Sequence, residues 1–185
     1  MNSISKIWPL KKVDINRKLK IYKAICKSVL TYNYGTWGLT KAQTEELDRT
    51  HRKQLRMIWN NPFKKNKDVY ESSKEIPLSK QMKKARWQTL GHILRLNEET
   101  PAQKAMLWYF EKNEKLTKYP GRKRMTLPVV INEDIKKVAN DVDVQISSFE
   151  RTEDLLKLKR IASDRIEWKR LTEIICKHAE GYNQL

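Results

Sequence analysis

Apolar positions in this chain recur at three- and four-residue intervals in every long stretch, the periodicity of helices that bury one face. Ile15, Leu19, Tyr22, Ile25 and Val29 follow this spacing, which predicts a helix over 15–30 with those five residues on its inner side. Tyr32, Tyr34, Gly35 and Trp37 then break the pattern as an aromatic turn. Thr40 and Gln43 stand at the spacing of a capping box, so a second helix opens there and reaches about Trp59. Leu47, His51, Leu55 and Ile58 give its inner side, and Asn60, Asn61 and Pro62 end it. A short helix or turn over Asp68 to Ser73 follows.

Ser79 is placed to cap a third long helix through Met82, Ala85, Trp87, Leu90, Ile93 and Leu94, with Gly91 inside the pattern. Thr100 and Gln103 form another expected box, with Pro101 at the first helical position and an apolar helix through Ala105, Met106, Leu107, Trp108 and Phe110, broad enough to be buried on several sides. Thr117 to Arg124 is a basic loop, and a helix over about 126–140 follows it. Ser147 and Glu150 suggest a last box, opening one broken or two consecutive helices to about His178, with Leu158, Ile161, Trp168, Leu171 and Ile175 aligned. No segment sustains strict alternation, and no repeat is present. The expected fold is all-α: a helical bundle followed by a smaller helical C-terminal extension. The chain divides at its punctuation into 1–62, a central helical segment 63–116 carrying Gly91 and His92, and 117–185 with the basic loop.

The 185 residues hold 39 Lys and Arg against 22 Asp and Glu, a formal net charge of +17, while 39% hydrophobic residues suffice for a core. No apolar run is long enough for a membrane span, the first residues lack a signal-peptide pattern, and Cys26 and Cys176 alone make no disulfide framework. These features suggest a basic, soluble, intracellular protein with a polyanionic partner, either nucleic acid or an acidic membrane surface. The cations are patterned as stripes: Lys20, Lys23 and Lys27 on the first helix, and Arg49, Arg52, Lys53 and Arg56 on the second. Arg122, Lys123 and Arg124 crowd the loop. One stripe alone is better read as serving solubility, but several stripes, a basic loop and the net charge together favour a nucleic-acid contact. The six Trp fall on apolar faces and are expected mainly in the core.

Catalytic groupings are thin. A metal-dependent nuclease would need clustered carboxylates, and Asp134, Asp141 and Asp143 are the nearest set, read here as a solvated helix end. Cys26, His51, His92, Cys176 and His178 lack paired zinc-ligand spacing, and His51 falls on an apolar side as a core histidine. No Gly-rich phosphate loop or nucleophile elbow is present. No cofactor and no metal are expected.

The order of motifs resembles the thumb and C-terminal extension of non-LTR (LINE-type) retrotransposon reverse transcriptases, the endonuclease-reverse transcriptase family. The resemblance rests on Tyr34, Gly35 and Trp37 after the first helix, and on Leu55, Arg56, Met57 and Ile58 in the second. It continues through Arg86, Trp87, Leu90, Gly91, His92, Ile93 and Arg95, then Gly121, Arg122, Lys123, Arg124 and Asp134, and finally Ala162, Asp164, Arg165 and Trp168. Leu127 stands where family members often carry Trp. The resemblance implies thumb-like helices over 1–62 that grip an RNA/DNA duplex or template-primer by its backbone, inside the cell and in the nucleus. It also implies that the polymerase palm and the endonuclease are missing from this chain, which has no Asp-Asp pair. On this reading the chain is a non-catalytic part of an RNA-directed DNA polymerase, with no membrane partner. The alternatives are a helical protein-interaction or host-adopted module and the metal-dependent nuclease.

Overall fold

The computed structural model describes residues 6–115, 125–139, 146 and 148–177. Among these the fold is all-α, with no strand. Helix α1 (Ile15–Ile21) continues through a π-helical segment (Tyr22–Lys27) into a last turn (Ser28–Leu30). Then come α2 (Lys41–Ile58), α3 (Asn66–Ser73), α4 (Leu78–Arg95), α5 (Pro101–Lys115), α6 (Leu127–Ala139), α7 (Thr152–Ser163) and α8 (Arg165–Lys177). No helix among the described residues is long and apolar enough to cross a membrane. The helices group into two compact units. Unit 1 comprises Met1–Tyr34 and Thr40–Met82, and unit 2 comprises Gly35–Leu39 and Lys83–Leu185, so the central segment 63–116 is shared between them.

In unit 1, Asp14 caps α1 by accepting from the Asn16 N–H at 2.9 Å. Leu19 and Tyr22 turn inward onto Leu55, Ile58, Val69 and Trp8. The expected inner face fails beyond that point. Ile25 is 47% exposed and Val29 74%, while Cys26 packs against the core instead. The cause is the π-helical stretch. Its i→i+5 bonding widens the turn and rotates every later residue relative to a regular helix. Lys18 is buried and donates from Nζ to the Trp8 carbonyl at 2.7 Å.

The Thr40–Gln43 box forms as expected and opens α2. His51, Leu55 and Ile58 are buried on it. Ser79 departs from expectation. It lies inside the first turn of α4 rather than before it, and its N–H and hydroxyl both donate to the Asp48 carboxylate at 3.0 and 2.6 Å. A carboxylate on α2 therefore meets the orphan donors at the start of α4.

Unit 2 is built around Trp87, Leu90, Phe110, Ile131, Phe149 and Leu158, all at most 2% exposed. α5 begins at Pro101, but the reciprocal bonds expected between Thr100 and Gln103 give way to others. The Thr100 N–H and hydroxyl donate to the Asn97 carbonyl, and the Gln103 amide donates to the Ile93 carbonyl at 2.7 Å, closing the end of α4. Only one face of α5 is buried. Met106 and Phe110 point inward, whereas Leu107 and Trp108 are exposed, with Lys112 Nζ lying 4.6 Å from the Trp108 ring. The expected box at Ser147 and Glu150 falls one turn early, and Ser147 lies outside the described residues. Asp154 does the capping instead, its Oδ2 accepting from the Ser148 hydroxyl and the Glu150 and Arg151 N–H groups. The last stretch is two consecutive helices. Asp164 separates them and caps α8 by accepting from the Ile166 N–H at 2.7 Å.

Two buried indoles of unit 2 meet over a glycine. Trp87 and Trp168 have ring centroids 5.6 Å apart, and the Trp168 Nε1–H donates to the Trp87 carbonyl at 3.2 Å. A Cβ on Gly91 would sit 2.2 Å from Trp168 Nε1, so only glycine allows this approach. Gly35 plays a similar part, since a Cβ there would lie 2.8 Å from the Thr89 hydroxyl and 3.1 Å from the Ala85 carbonyl oxygen.

Candidate nucleic-acid interface

The positive charge is unevenly divided. Unit 1 carries 18 Lys and Arg against seven Asp and Glu, a net +11 of the chain's +17. Moreover, several of its carboxylates already have partners within the unit. Glu75 is buried and ion-paired with Lys23 and Lys27, Asp48 takes both Ser79 donors, and Asp14 caps α1. The surface of unit 1 is therefore left strongly cationic.

The candidate cations separate into distinct groups. Lys20 and Lys53 are exposed and have no ion pair among the described residues. Arg49 is exposed and pairs with the equally exposed Glu46 at 2.6 Å, a contact of the kind worth only about 0–1 kcal/mol. Arg49 and Lys53 line one open groove of about 350 Å³ along α2, together with Glu46, Thr50, Gln54 and Met57. These three cations can meet phosphate without undoing the fold.

The others have internal tasks. Lys23 and Lys27 reach the Glu75 carboxylate at 3.0 and 2.5 Å. Arg56 donates from Nε to the Lys64 carbonyl at 2.9 Å and from Nη2 to Asn66 Oδ1 at 2.6 Å, holding the α2–α3 loop. Arg52 Nη1 lies 3.4 Å from the Tyr70 hydroxyl. The stripe Lys20, Lys23 and Lys27 is thus not a single free face. Arg122, Lys123 and Arg124 lie outside the described residues.

Glu75 is a residue that periodicity did not single out. Its position follows from α3's end, where Lys74 takes the left-handed conformation (φ 51°) and the Glu75 N–H bonds the Tyr70 carbonyl at 3.0 Å. This aims Glu75 at the inner side of α1 and α2. Burial opposes its ionisation, but hydrogen bonds from Lys27 and Lys23 outweigh burial and hold the carboxyl below its ordinary range. Beside it, the Tyr22 hydroxyl and His51 Nδ1 are 2.6 Å apart, with the two rings stacked at 5.8 Å. His51 Nε2 is buried without a hydrogen bond, 3.8 Å from Glu75 Oε2. Burial lowers the His51 pKa to about 4, against the opposing pull of Glu75, and burial raises that of Tyr22. His51 is therefore a neutral core histidine, as expected, though only half satisfied.

Asp134 corrects the expectation of a solvated helix end. It is buried, its Oδ2 accepting from Arg86 Nη1 at 3.0 Å and Trp87 Nε1 at 3.2 Å, while Lys83 Nζ lies 3.4 Å from Oδ1. A carboxylate so enclosed by cations is structural. Asp141 and Asp143 lie outside the described residues. Among the described residues no three His, Cys, Asp or Glu side chains come together as a metal site. Burial raises the Cys176 thiol pKa, in keeping with an inert cysteine.

A further feature was legible only as a helix stop. Asn60, Asn61 and Pro62 do end α2, but they also start a loop that projects Phe63, 93% exposed, beside Lys64, Lys65 and Lys67. The run Phe63-Lys64-Lys65 was the available signal. No protein-family model, curated protein or solved structure matches this chain.

Proposed function

We propose that this chain is a nucleic-acid-binding helical module that grips a duplex by its phosphate backbone and is not catalytic alone. The observation that carries the reading is the concentration of charge in unit 1, with Lys20, Arg49 and Lys53 exposed on it and the buried Glu75 already matched. Contacts of this kind position a duplex without reading its bases. The motif order further supports a thumb and C-terminal extension of a non-LTR retrotransposon reverse transcriptase as the module's origin. In that setting the duplex is the RNA/DNA template-primer, and the chemistry belongs to a palm domain outside this chain.

The test is fluorescence anisotropy of a labelled duplex across a salt series. Each phosphate neutralised by Lys or Arg releases counterions, giving a logarithmic slope of about −0.9 per contact on B-DNA. The variant is Lys20→Gln/Arg49→Gln/Lys53→Gln, because none of these residues serves a buried partner. Affinity should fall alike for unrelated sequences, and the slope should shrink by about one unit for each phosphate that is no longer neutralised, three at most. Wild-type protein that fails to bind, or a triple variant with unchanged affinity and slope, would refute the assignment. Lys23 and Lys27 are poor probes, since removing them strands Glu75.

One observation favours a helical protein-interaction module as a second reading. Ile25, Val29 and Tyr32 are exposed near the end of the first helix. Binding that resists heparin and excess duplex but is abolished by Val29→Asp would support it over the first.

A further inference from the structure

Phe63 is an exposed side chain on a loop that is itself firmly held. Single apolar residues on a protein surface are ordinary, especially on loose loops. This loop is braced at nearly every residue. Asn60 adopts a left-handed conformation (φ 50°), and the Asn61 N–H bonds the Arg56 carbonyl at 3.1 Å. The Phe63 N–H donates to Asn61 Oδ1 at 3.1 Å. Arg56 ties down the Lys64 carbonyl and Asn66, and Lys64 Nζ sits 3.8 Å from the centroid of the Trp59 ring. Trp59 in turn donates from Nε1 to the Ser73 hydroxyl at 2.9 Å. The result is a fixed mount for one phenyl ring that remains 93% exposed.

What surrounds the ring limits what can cover it. Its neighbours along the loop are Pro62, Lys64 and Lys65, with Lys67 close behind, and all but Lys64 are exposed; Lys67 Nζ lies 3.9 Å from Glu71 Oε1, an exposed pair of the weak kind that a phosphate can displace. An apolar protein partner would have to strip water from these ammonium groups with no return. A membrane interface is usually entered by several apolar side chains on one face, whereas this loop offers a single ring. A nucleic acid satisfies both halves, since every base has a flat apolar face and every linkage carries a negative charge. In a duplex those faces are already stacked, so the ring needs a base that is unpaired.

Resting on the nucleic-acid reading above, we infer that Phe63 is a base-stacking residue for single-stranded nucleic acid adjoining a duplex. Its ring lies on an unpaired base while Lys65 and Lys67 neutralise the neighbouring phosphates.

The experiment compares a blunt duplex with the same duplex carrying a single-stranded overhang that contains 2-aminopurine. Full-length wild type, Phe63→Ala and Phe63→Trp are titrated into each, with anisotropy and 2-aminopurine fluorescence as readouts. Circular dichroism should be the same for all three, because an exposed side chain supports no core. Phe63→Ala should bind the overhang substrate roughly five- to a hundredfold more weakly, the range expected for removal of one base stack. Blunt-duplex affinity and the salt slope should stay unchanged, and Phe63→Trp should restore binding and the 2-aminopurine quench. Equal overhang binding by wild type and Phe63→Ala overturns the inference while leaving backbone gripping intact. Failure of wild type to bind either substrate removes the nucleic-acid reading itself. A Phe63→Ala defect confined to anionic lipid vesicles would make the residue a membrane contact and overturn the stacking role.

Discussion

Replacing Gly91 by Ala sets two physical effects against each other, and the sign of the outcome decides between them. In an exposed helix interior the change is favourable by about 1 kcal/mol, since alanine is the better helix former. In this protein the new methyl would lie 2.2 Å from Trp168 Nε1 and 2.5 Å from Cε2, so the indole or the helix must shift. Overpacking of this kind costs about 1–3 kcal/mol. Displacing the indole also breaks its 3.2 Å bond to the Trp87 carbonyl in a buried setting. An orphaned buried donor adds about 1–3 kcal/mol. The expected net destabilisation is therefore about 1–5 kcal/mol, with the propensity gain already subtracted. Urea unfolding followed by far-ultraviolet circular dichroism and tryptophan fluorescence measures it. Trp168→Ala removes the approached atoms, so Gly91→Ala should cost markedly less in that background than in wild type. A stabilised Gly91→Ala protein, or strictly additive effects in the double variant, would refute the close approach of α8 to α4.

Two further outcomes follow from the buried ionisable groups. His51 has a folded pKa of about 4 against 6.5 when unfolded, so the unfolded chain takes up the proton first as pH falls. Its neutral burial is without penalty above pH 6.5, and stability should drop between pH 6.5 and 4 by about 3 kcal/mol from this residue. Urea unfolding across that window should show the drop, and His51→Gln should flatten it; an unchanged profile in the variant would sink the assignment. Asp134→Asn should destabilise the protein by about 3–5 kcal/mol, because it leaves Arg86 and Lys83 facing each other without their buried counter-charge. A near-neutral effect in the same assay would return Asp134 to the surface, and metal-dependent cleavage of DNA abolished by the substitution would revive the nuclease alternative.

Helix existence was legible because apolar spacing records which side of each helix is dry, and Thr40 with Gln43 marked the start of α2 correctly. Trp87 and Trp168 were likewise placed in the core by their spacing, and they are 0% and 5% exposed. What spacing does not carry is the partner. Nothing local tells that Ser79 will be met by Asp48, or that Asp134 will be enclosed by Arg86 and Lys83, since each pair is joined only by tertiary folding. The π-helical stretch defeated a period of 3.6 at Ile25 and Val29 for a different reason, a change in the turn itself. Among the candidate cations, sequence showed where charge lies but not which ammonium groups were taken. Glu75 decides that for Lys23 and Lys27, and its burial depends on a left-handed Lys74 that no propensity favours.

The interleaving of the two units sets an order on their folding during synthesis. A nascent chain that has cleared the ribosome as far as Met82 contains every residue of unit 1, so that unit is free to consolidate early. Gly35–Leu39 emerges before most of it yet belongs to unit 2. Gly35 must wait for Ala85 and Thr89, and Gly38 for Met125, whose carbonyl oxygen would stand 2.5 Å from a Cβ at that glycine. For that interval a five-residue strap holding Trp37 hangs from a finished neighbour with its own seat still untranslated. A pause in translation before residue 125 lengthens that exposure.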